Sequence, residues 1–337
     1  MKQTKVLVIG LGSMGQRRIR CLNTIGEYQI FGFDKDKQRQ YLVCEKFKIN
    51  ELNSFIEERF DFFIISTSPE SHHLYIEIAL KNNIHAFVEA SVLDIGYKDF
   101  IQKAKKKNII IGPSCTLLFH PAIIFIKSIL KSKQLGDYLN LTYNSGQYLP
   151  DWHPYENVSD FYVSKKSTGA AREIVPFELT WLMNLFGYPS QVSCIIKKTA
   201  NILGASEIDD TYFLMLEYEK FIMNLNVDIV SRKATRKLLI NFEKGQLSWD
   251  WNLNEVQVFE ANNEKPLSYS YEVKSHEGYN ENISEKMYVD ELSSFINSLN
   301  SDQLFPNNLE KDSKILSILY LAEKANDQGN KQFLHKE

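Results

Sequence analysis

The chain opens on an apolar run, Lys5-Val6-Leu7-Val8-Ile9, whose length and β-branched content predict a buried strand. Residues 16–22 continue as a helix, and a second strand is expected over 28–33. Polar helices follow over 35–45 and 51–59, then a fully apolar strand at 62–66, a loop at Thr67-Ser68-Pro69 and a helix over 71–82. Strands at 86–89 and 109–112 flank a helix at 97–107. Strands that alternate with helices of about ten residues predict a parallel sheet with helices on both faces.

Beyond residue 121 the period changes. An amphipathic helix at 122–131 leads to an alternating strand at 138–146. After a helical segment ending at Gly187, strand patterns come in succession at 192–198, 211–218, 222–230, 236–242, 245–251 and 255–261. Turn signals such as Glu243-Lys244-Gly245 keep their connections short, which predicts antiparallel pairing. Helices at 284–299 and 309–325 close the chain, and the polar tail after Gly329 is expected to fray. The expected class is α/β: a doubly wound parallel sheet over 1–121, then an α+β domain over 122–337 with a mainly antiparallel open sheet. The C-terminal helix is free to pack back on the first domain.

Composition narrows the class. The 337 residues suffice for two cores. A formal net charge of −3 leaves no nucleic-acid footprint. No apolar run reaches the ~18 residues of a membrane span. The first residues read as strand rather than leader, so a cytoplasmic protein without a membrane partner is expected. Cys21, Cys44, Cys115 and Cys194 are scattered, without C-x-x-C spacing, and read as reduced core thiols; no metal site is expected.

Gly10, Gly12 and Gly15 follow the first strand at G-x-G-x-x-G spacing and precede a helix, the context that a dinucleotide site requires. Gly10 permits the tight turn, Gly12 leaves room for a pyrophosphate, and Gly15 lets the helix close on the strand. With Ser13 and Met14, the helix N-terminus offers N–H groups to the phosphates. Asp34, about 22 residues past Gly12, is the expected ribose carboxylate; its alternative role is to cap the next helix. As a ribose ligand it favours NAD over NADP, a preference that Lys35 and Lys37 soften. The first domain is therefore expected to be a Rossmann sheet. Ligands of such sheets lie beyond the carboxyl ends of the strands, which selects Ser66, Thr67, Ser68, Pro69, Glu89 and residues 114–120.

The succession of Ser68-Pro69, His73 and His85-Ala86-Phe87-Val88-Glu89 resembles the Gfo/Idh/MocA family of NAD(P)-dependent oxidoreductases. The resemblance implies that the segment from Ser68 to His73 borders the nicotinamide, which adds His73 to the cofactor set, and that Glu89 belongs to the site. The chain departs from the family pattern at telling places. The family lysine is Ala90, the proline after it Ser91, and the asparagine of the earlier loop Glu70. Phe119 and Pro121 match, while the family arginine is Leu118. The segment from Gly169 to the matching Leu185-Phe186-Gly187 carries Glu173 at the aspartate position and Phe177 where the family's proton-transferring histidine is usual.

Hydride transfer from a carbinol needs a base for the hydroxyl proton, and the reverse needs an acid. Ala90 and Phe177 supply neither. The remaining candidates are His153 and Tyr148 on the loop over 147–155, Lys165 in place of the lost lysine, and Glu173. Asp151 and Trp152 on that loop, with Arg172 and Glu178 on the following helix, are expected substrate contacts; Arg232 and Arg236 suit an anionic substrate group, although one or both read more readily as ordinary strand-edge charges. Three readings stay open: an oxidoreductase using these groups, an enzyme of non-redox net chemistry on tightly bound NAD, and a dinucleotide-binding protein that has lost turnover. The loop's chemistry favours the first. The resemblance implies a sugar, nucleotide sugar or cyclitol as substrate, in surface polysaccharide synthesis. A sheet with more face than the remaining helices cover predicts a homodimer or homotetramer.

Overall fold

The computed structural model describes residues 3–53, 59–152, 156–263, 265–274 and 284–334. The chain forms two compact units, Met1–Thr116 with Glu285–Ser313, and Leu117–Ser284 with Lys314–Glu337.

The first unit is built on strands β1 (Lys5–Ile9), β2 (Gln29–Phe33), β3 (Asn50–Glu51), β4 (Phe62–Ile65), β5 (His85–Val88) and β6 (Ile111–Pro113). All pair in parallel, in the order β3-β2-β1-β4-β5-β6. This is the doubly wound order with its reversal beside β1, the place where such sheets bind dinucleotides. Helices α1 (Ser13–Ile25), α2 (Lys37–Phe47), α3 (His72–Lys81) and α4 (Tyr97–Lys107) connect the strands. Every residue of β4 is buried, as its unbroken apolar run requires.

Two expectations here need correction. The helix expected from residue 51 is instead strand at its start, where Asn50 pairs with Phe31 and sends its amide to the Ile30 carbonyl, 3.2 Å away; residues 54–58 lie outside the described residues. Helix α2 starts at Lys37, not at residue 35, because the Asp36 side chain accepts from the N–H groups of Gln38 and Arg39. That cap also removes the capping role considered for Asp34.

The unit is closed by α7 (Glu285–Asn300), which the chain supplies only after the second unit's strands. Its Phe295 meets Phe62, Phe87 and Phe305 edge to face at 5.6–5.9 Å. Arg17 and Arg18 on α1 are buried, against their polar character in the sequence, because α7 brings them carboxylates: Glu285 to Arg17, and Glu291 to Arg18.

The second unit carries helices α5 (Pro121–Ser132) and α6 (Ala170–Phe186), and α8 (Leu309–Gln328) from Lys314 onward. Its strands are β7 (Tyr138–Tyr148), β8 (Gln191–Lys197), β9 (Thr211–Glu217), β10 (Ile222–Asp228), β11 (Val230–Phe242), β12 (Gly245–Asp250), β13 (Glu255–Glu260), β14 (Leu267–Ser270) and β15 (Gln332–Phe333). They form one sheet in the order β14-β13-β12-β11-β7-β10-β9-β8-β15. Pairing is antiparallel except at β7–β10, the one parallel pair among this sheet's described strands, because α6, β8 and β9 intervene between them. The tail does not fray where expected: Gln332 and Phe333 pair with Val192 and Gln191 at the sheet edge, held by Lys331 on Glu217 and by the Leu334 N–H on the Ser190 carbonyl. Burial alternates along the strands; in β9 Tyr212, Leu214 and Leu216 are buried while Phe213 and Met215 are exposed.

Candidate functional site

The glycine loop is shaped by close approach. Gly10 sits at a φ of +86°, and a Cβ there would fall 2.6 Å from the Ser66 carbonyl oxygen. A Cβ on Gly15 would fall 1.9 Å from the Gly10 carbonyl oxygen, so α1 can close on β1 only over a glycine. Gly12 is different: nothing lies within 4 Å of a Cβ built on it. Gly12 is also the N-cap of α1, and no side chain caps that end. Open space over uncapped N–H groups is what a pyrophosphate needs, and the residues present fit NAD.

Asp34 is 4% exposed at the end of β2. Its Oδ2 accepts from the Leu11 N–H at 2.8 Å and its Oδ1 from the Asp36 N–H at 2.9 Å, tying the glycine loop to the second strand. The Arg39 guanidinium lies 3.6 Å from the same Oδ2. Thus the cation beside Asp34 is Arg39, rather than Lys35 or Lys37.

Glu89, at the end of β5, is engaged inside the unit. Arg18 holds it bidentately at 2.6 and 2.9 Å, and Ser66 Oγ donates to it at 3.2 Å. Arg18 is fully buried and also donates to Glu291 at 2.9 Å. Glu291 accepts in addition from Ser114 Oγ, the Cys115 N–H and Thr116 Oγ1 at 2.6–2.9 Å. The strand-end residues Glu89 and 114–116 are therefore joined through one guanidinium. Adjacent arginines on an otherwise apolar helix face were the available signal for it. In the loop after β4, His72 Nε2 bonds the Thr67 carbonyl at 2.9 Å, and burial lowers this imidazole to about 4, so it stays neutral. Ser71 Oγ donates to Thr67 Oγ1, Pro69 is buried, and the half-buried His73 keeps a buried Nδ1 without a hydrogen-bond partner.

In the second unit, the loop after β7 begins with Tyr148, whose ring lies under the Arg232 guanidinium at 3.9 Å. Asp151 is exposed at the end of a short 3-10 turn, and Trp152 is half-buried with its indole N–H buried and without an acceptor. His153 lies outside the described residues. Lys165 is exposed. His120 caps α5 through Nδ1 and is 1% exposed; burial, then Arg236, lowers it to about 3.

Two expected substrate contacts, Glu178 and Arg172, have partners within the unit, as does Arg236. Glu178 is fully buried and accepts from Tyr143 OH at 2.8 Å, Ser145 Oγ at 2.8 Å, the Trp181 indole at 2.9 Å and Arg236 Nε at 2.9 Å. Its turn of the helix points at the sheet rather than at solvent. Arg236 is consumed by that contact and by the Trp251 ring, 4.8 Å away. Arg172 is held bidentately by Glu323 of α8 and donates to the Ser167 carbonyl.

Glu173 stands apart. Tyr162 OH donates to its Oε1 at 2.7 Å, while its Oε2 is buried and without a partner. Burial raises this carboxyl to about 7, against a smaller lowering by Tyr162. A carboxyl with a free oxygen and a midpoint near neutrality can give or take a proton at physiological pH. Neighbouring Phe177 cannot. Among the described residues no cluster of metal-ligating side chains occurs, and no helix is long and apolar enough to cross a membrane.

Two family profiles cover the chain: the oxidoreductase family with an NAD-binding Rossmann fold over residues 4–108, and the Gfo/Idh/MocA C-terminal domain over 123–248. The chain belongs to the Gfo/Idh/MocA family. It is an NAD-dependent oxidoreductase by that membership, and NAD is its cofactor. No curated protein matches the sequence. Solved structures share the fold of this Gfo/Idh/MocA chain at low identity. An oxidoreductase from Agrobacterium radiobacter in complex with NAD+, L-tartaric acid and magnesium is 14% identical, covers 98% of each chain and has a TM-score of 0.85. Levoglucosan dehydrogenase in complex with NADH is 14% identical over 100% of both chains, with a TM-score of 0.83. UDP-N-acetylglucosamine 3-dehydrogenase from Acidithiobacillus ferrooxidans is 14% identical over 97% of this chain and 99% of its own, with a TM-score of 0.77.

Proposed function

We propose that this oxidoreductase interconverts a hydroxyl and a carbonyl on a sugar, nucleotide sugar or cyclitol, with Glu173 as its proton-handling group. The observation that carries this reading is the buried, unpartnered Oε2 of Glu173 on a carboxyl whose midpoint is about 7. Bound NAD supplies the hydride acceptor, and NADH the donor in the reverse direction. Glu173 as carboxylate takes the hydroxyl proton of the carbinol; as carboxylic acid it returns a proton to the carbonyl oxygen. Tyr162 orients Oε1 and leaves Oε2 for the substrate. Asp151, Trp152 and His153 follow Tyr148 on a loop whose polar and aromatic groups suit a hydroxylated ring, with carbon faces against rings and hydroxyls on polar atoms. The sugar dehydrogenases of the same fold support this substrate class.

The test is turnover of NAD with a panel of sugars and nucleotide sugars, comparing wild type, Glu173→Gln and His153→Ala. Loss of about a hundredfold or more in Glu173→Gln with intact NAD affinity is expected. Equal turnover in Glu173→Gln, with loss in His153→Ala, transfers the role to His153.

The same reading includes self-association through the uncovered face of the second sheet. Ile195 and Phe213 are cross-strand partners there, 60% and 50% exposed, with Met215 beside them. Light scattering at micromolar concentration is expected to give a dimer or tetramer; a monomeric mass overturns it.

A further inference from the structure

A cavity of about 1190 Å³ opens in the second unit, lined from the ends of α5 and α6, the outer turns of the sheet and one face of α8. It exceeds the ~300–1,000 Å³ of an ordinary small-molecule site. It also lies away from Glu173: the eleven helical steps from Glu173 to Asn184 at its rim span about 17 Å along α6.

Its floor is aromatic and fixed. Tyr218 stacks on Phe221 with centroids 4.0 Å apart, Tyr138 meets Phe221 edge-on at 4.6 Å, and Tyr218 OH anchors to the Gly187 carbonyl at 3.1 Å. Its wall on α8 reads Lys314, Ser317, Leu321, Lys324, a spacing that puts all four on one helical face. Six lysines line the opening against two acids, Asp137 and Glu219. Lys220 lies 4.0 Å from Asp137 and Lys127 donates to Asn184. The ammonium groups of Lys131, Lys133 and Lys324, by contrast, make no hydrogen bond or ion pair with any described residue. Unpartnered ammonium groups around an apolar hollow are complementary to a molecule that is anionic at one end and apolar at the other.

We propose that this groove binds a single anionic amphiphile, a long-chain phosphate monoester. The phosphate monoester carries close to two charges at neutral pH, matching several converging lysines where a carboxylate offers one. The concavity admits one molecule and its tail; a flat lysine-rich face would instead have suited a membrane surface. The stretch of α8 from Lys314 to Lys324 alone runs about 15 Å, enough for an extended alkyl chain to lie along it. The head rests among Lys131, Lys133 and Lys324, and the tail covers Leu321 and the Tyr218–Phe221 stack.

The experiment is calorimetric titration of NAD-loaded protein with dodecyl phosphate below its micellar concentration, beside dodecanol and inorganic phosphate separately. Saturable one-to-one binding is expected, at least tenfold tighter than either half-ligand and weakened by added salt. Lys131→Glu with Lys324→Glu should weaken it at least tenfold while leaving NAD affinity and the unfolding midpoint unchanged, since both side chains are exposed. Leu321→Asp should weaken it without altering the lysines. Binding equal in the double variant, binding of dodecanol as tight as that of dodecyl phosphate, or no binding at all overturns the proposal. So does binding only to anionic vesicles, or a change in oligomeric state of the double variant, which would assign the groove to a second copy of the chain.

Discussion

Glu173 and Glu178 lie five residues apart on one helix, both buried at the carboxylate, and the protein uses them in opposite ways. Five residues turn an α-helix by about 140° past a full circle, so the two look in different directions. Glu178 faces the sheet and accepts four hydrogen bonds, one of them from Arg236. Glu173 faces Tyr162 alone and keeps one oxygen unused. The same contrast runs through the glycine loop, where Gly15 is pressed on the Gly10 carbonyl and Gly12 faces empty space. Groups whose contacts are complete hold the structure; groups with a contact left over are the ones a ligand can reach. Burial and residue type alone separate neither pair.

The contrast can be broken most directly at Glu178. Glu178→Ala leaves the Arg236 guanidinium buried without its carboxylate, and a loss of about 3–5 kcal/mol in urea unfolding is expected. An unchanged midpoint would remove Glu178 from the structural set.

Glu173→Gln should show the reverse pattern, with turnover down about a hundredfold or more and NAD affinity intact. Its stability effect has a definite sign. The folded state holds the Glu173 proton to about pH 7, while the unfolded chain releases it near 4.5. This contribution is therefore fully present below pH 4.5 and is lost as pH rises through 7, a change on the order of 3 kcal/mol. Wild type should lose stability relative to Glu173→Gln across that window; parallel unfolding curves from pH 4 to 8 would refute the shifted carboxyl.

Gly12→Ala is expected to unfold like wild type yet bind NAD about tenfold more weakly, roughly 1.4 kcal/mol, because the methyl takes space meant for the pyrophosphate. Gly15→Ala should fail in both measurements. The smallest effect belongs to Tyr162→Phe. Removing the donor that lowers the Glu173 carboxyl should move the corresponding limb of the pH–rate profile upward, and a limb that stays in place detaches Tyr162 from the role.

The sequence made the first unit legible because its signals are local. Strand periodicity, three glycines and an acid at fixed spacing describe β1, α1 and β2 without reference to anything distant. The two strands beside the switch point, with Asp34 at the end of β2, fell where the pattern put them. What stayed hidden depends on partners remote in the chain. Arg18 reads as surface until Glu291, 273 residues on, is placed against it. Glu178 reads as a substrate ligand until Arg236 arrives from β11. The parallel β7–β10 pair and the β15 edge strand are hidden for the same reason. Glu173 is singled out in the sequence by its motif position, but its unpartnered oxygen beside Tyr162 and the midpoint that burial raises depend on the folded surroundings.

The late arrival of α7 has a consequence for how the protein is made. A ribosome has completed residues 1–116 long before it reaches Glu285, and at about 5–20 residues per second the intervening chain takes on the order of ten seconds or more. Throughout that interval the nascent first unit lacks Glu285 and Glu291 for its buried arginines, and Phe62 and Phe87 lack the Phe295 ring. A transcript cut anywhere before residue 285 would release a sheet whose face beside α1 is left part-covered, over Phe62 and Phe87, and a guanidinium committed to only one of its two acids. Such N-terminal fragments should partition to chaperones or the insoluble fraction however well they carry the glycine loop, and supplying residues 285–313 in trans should rescue them.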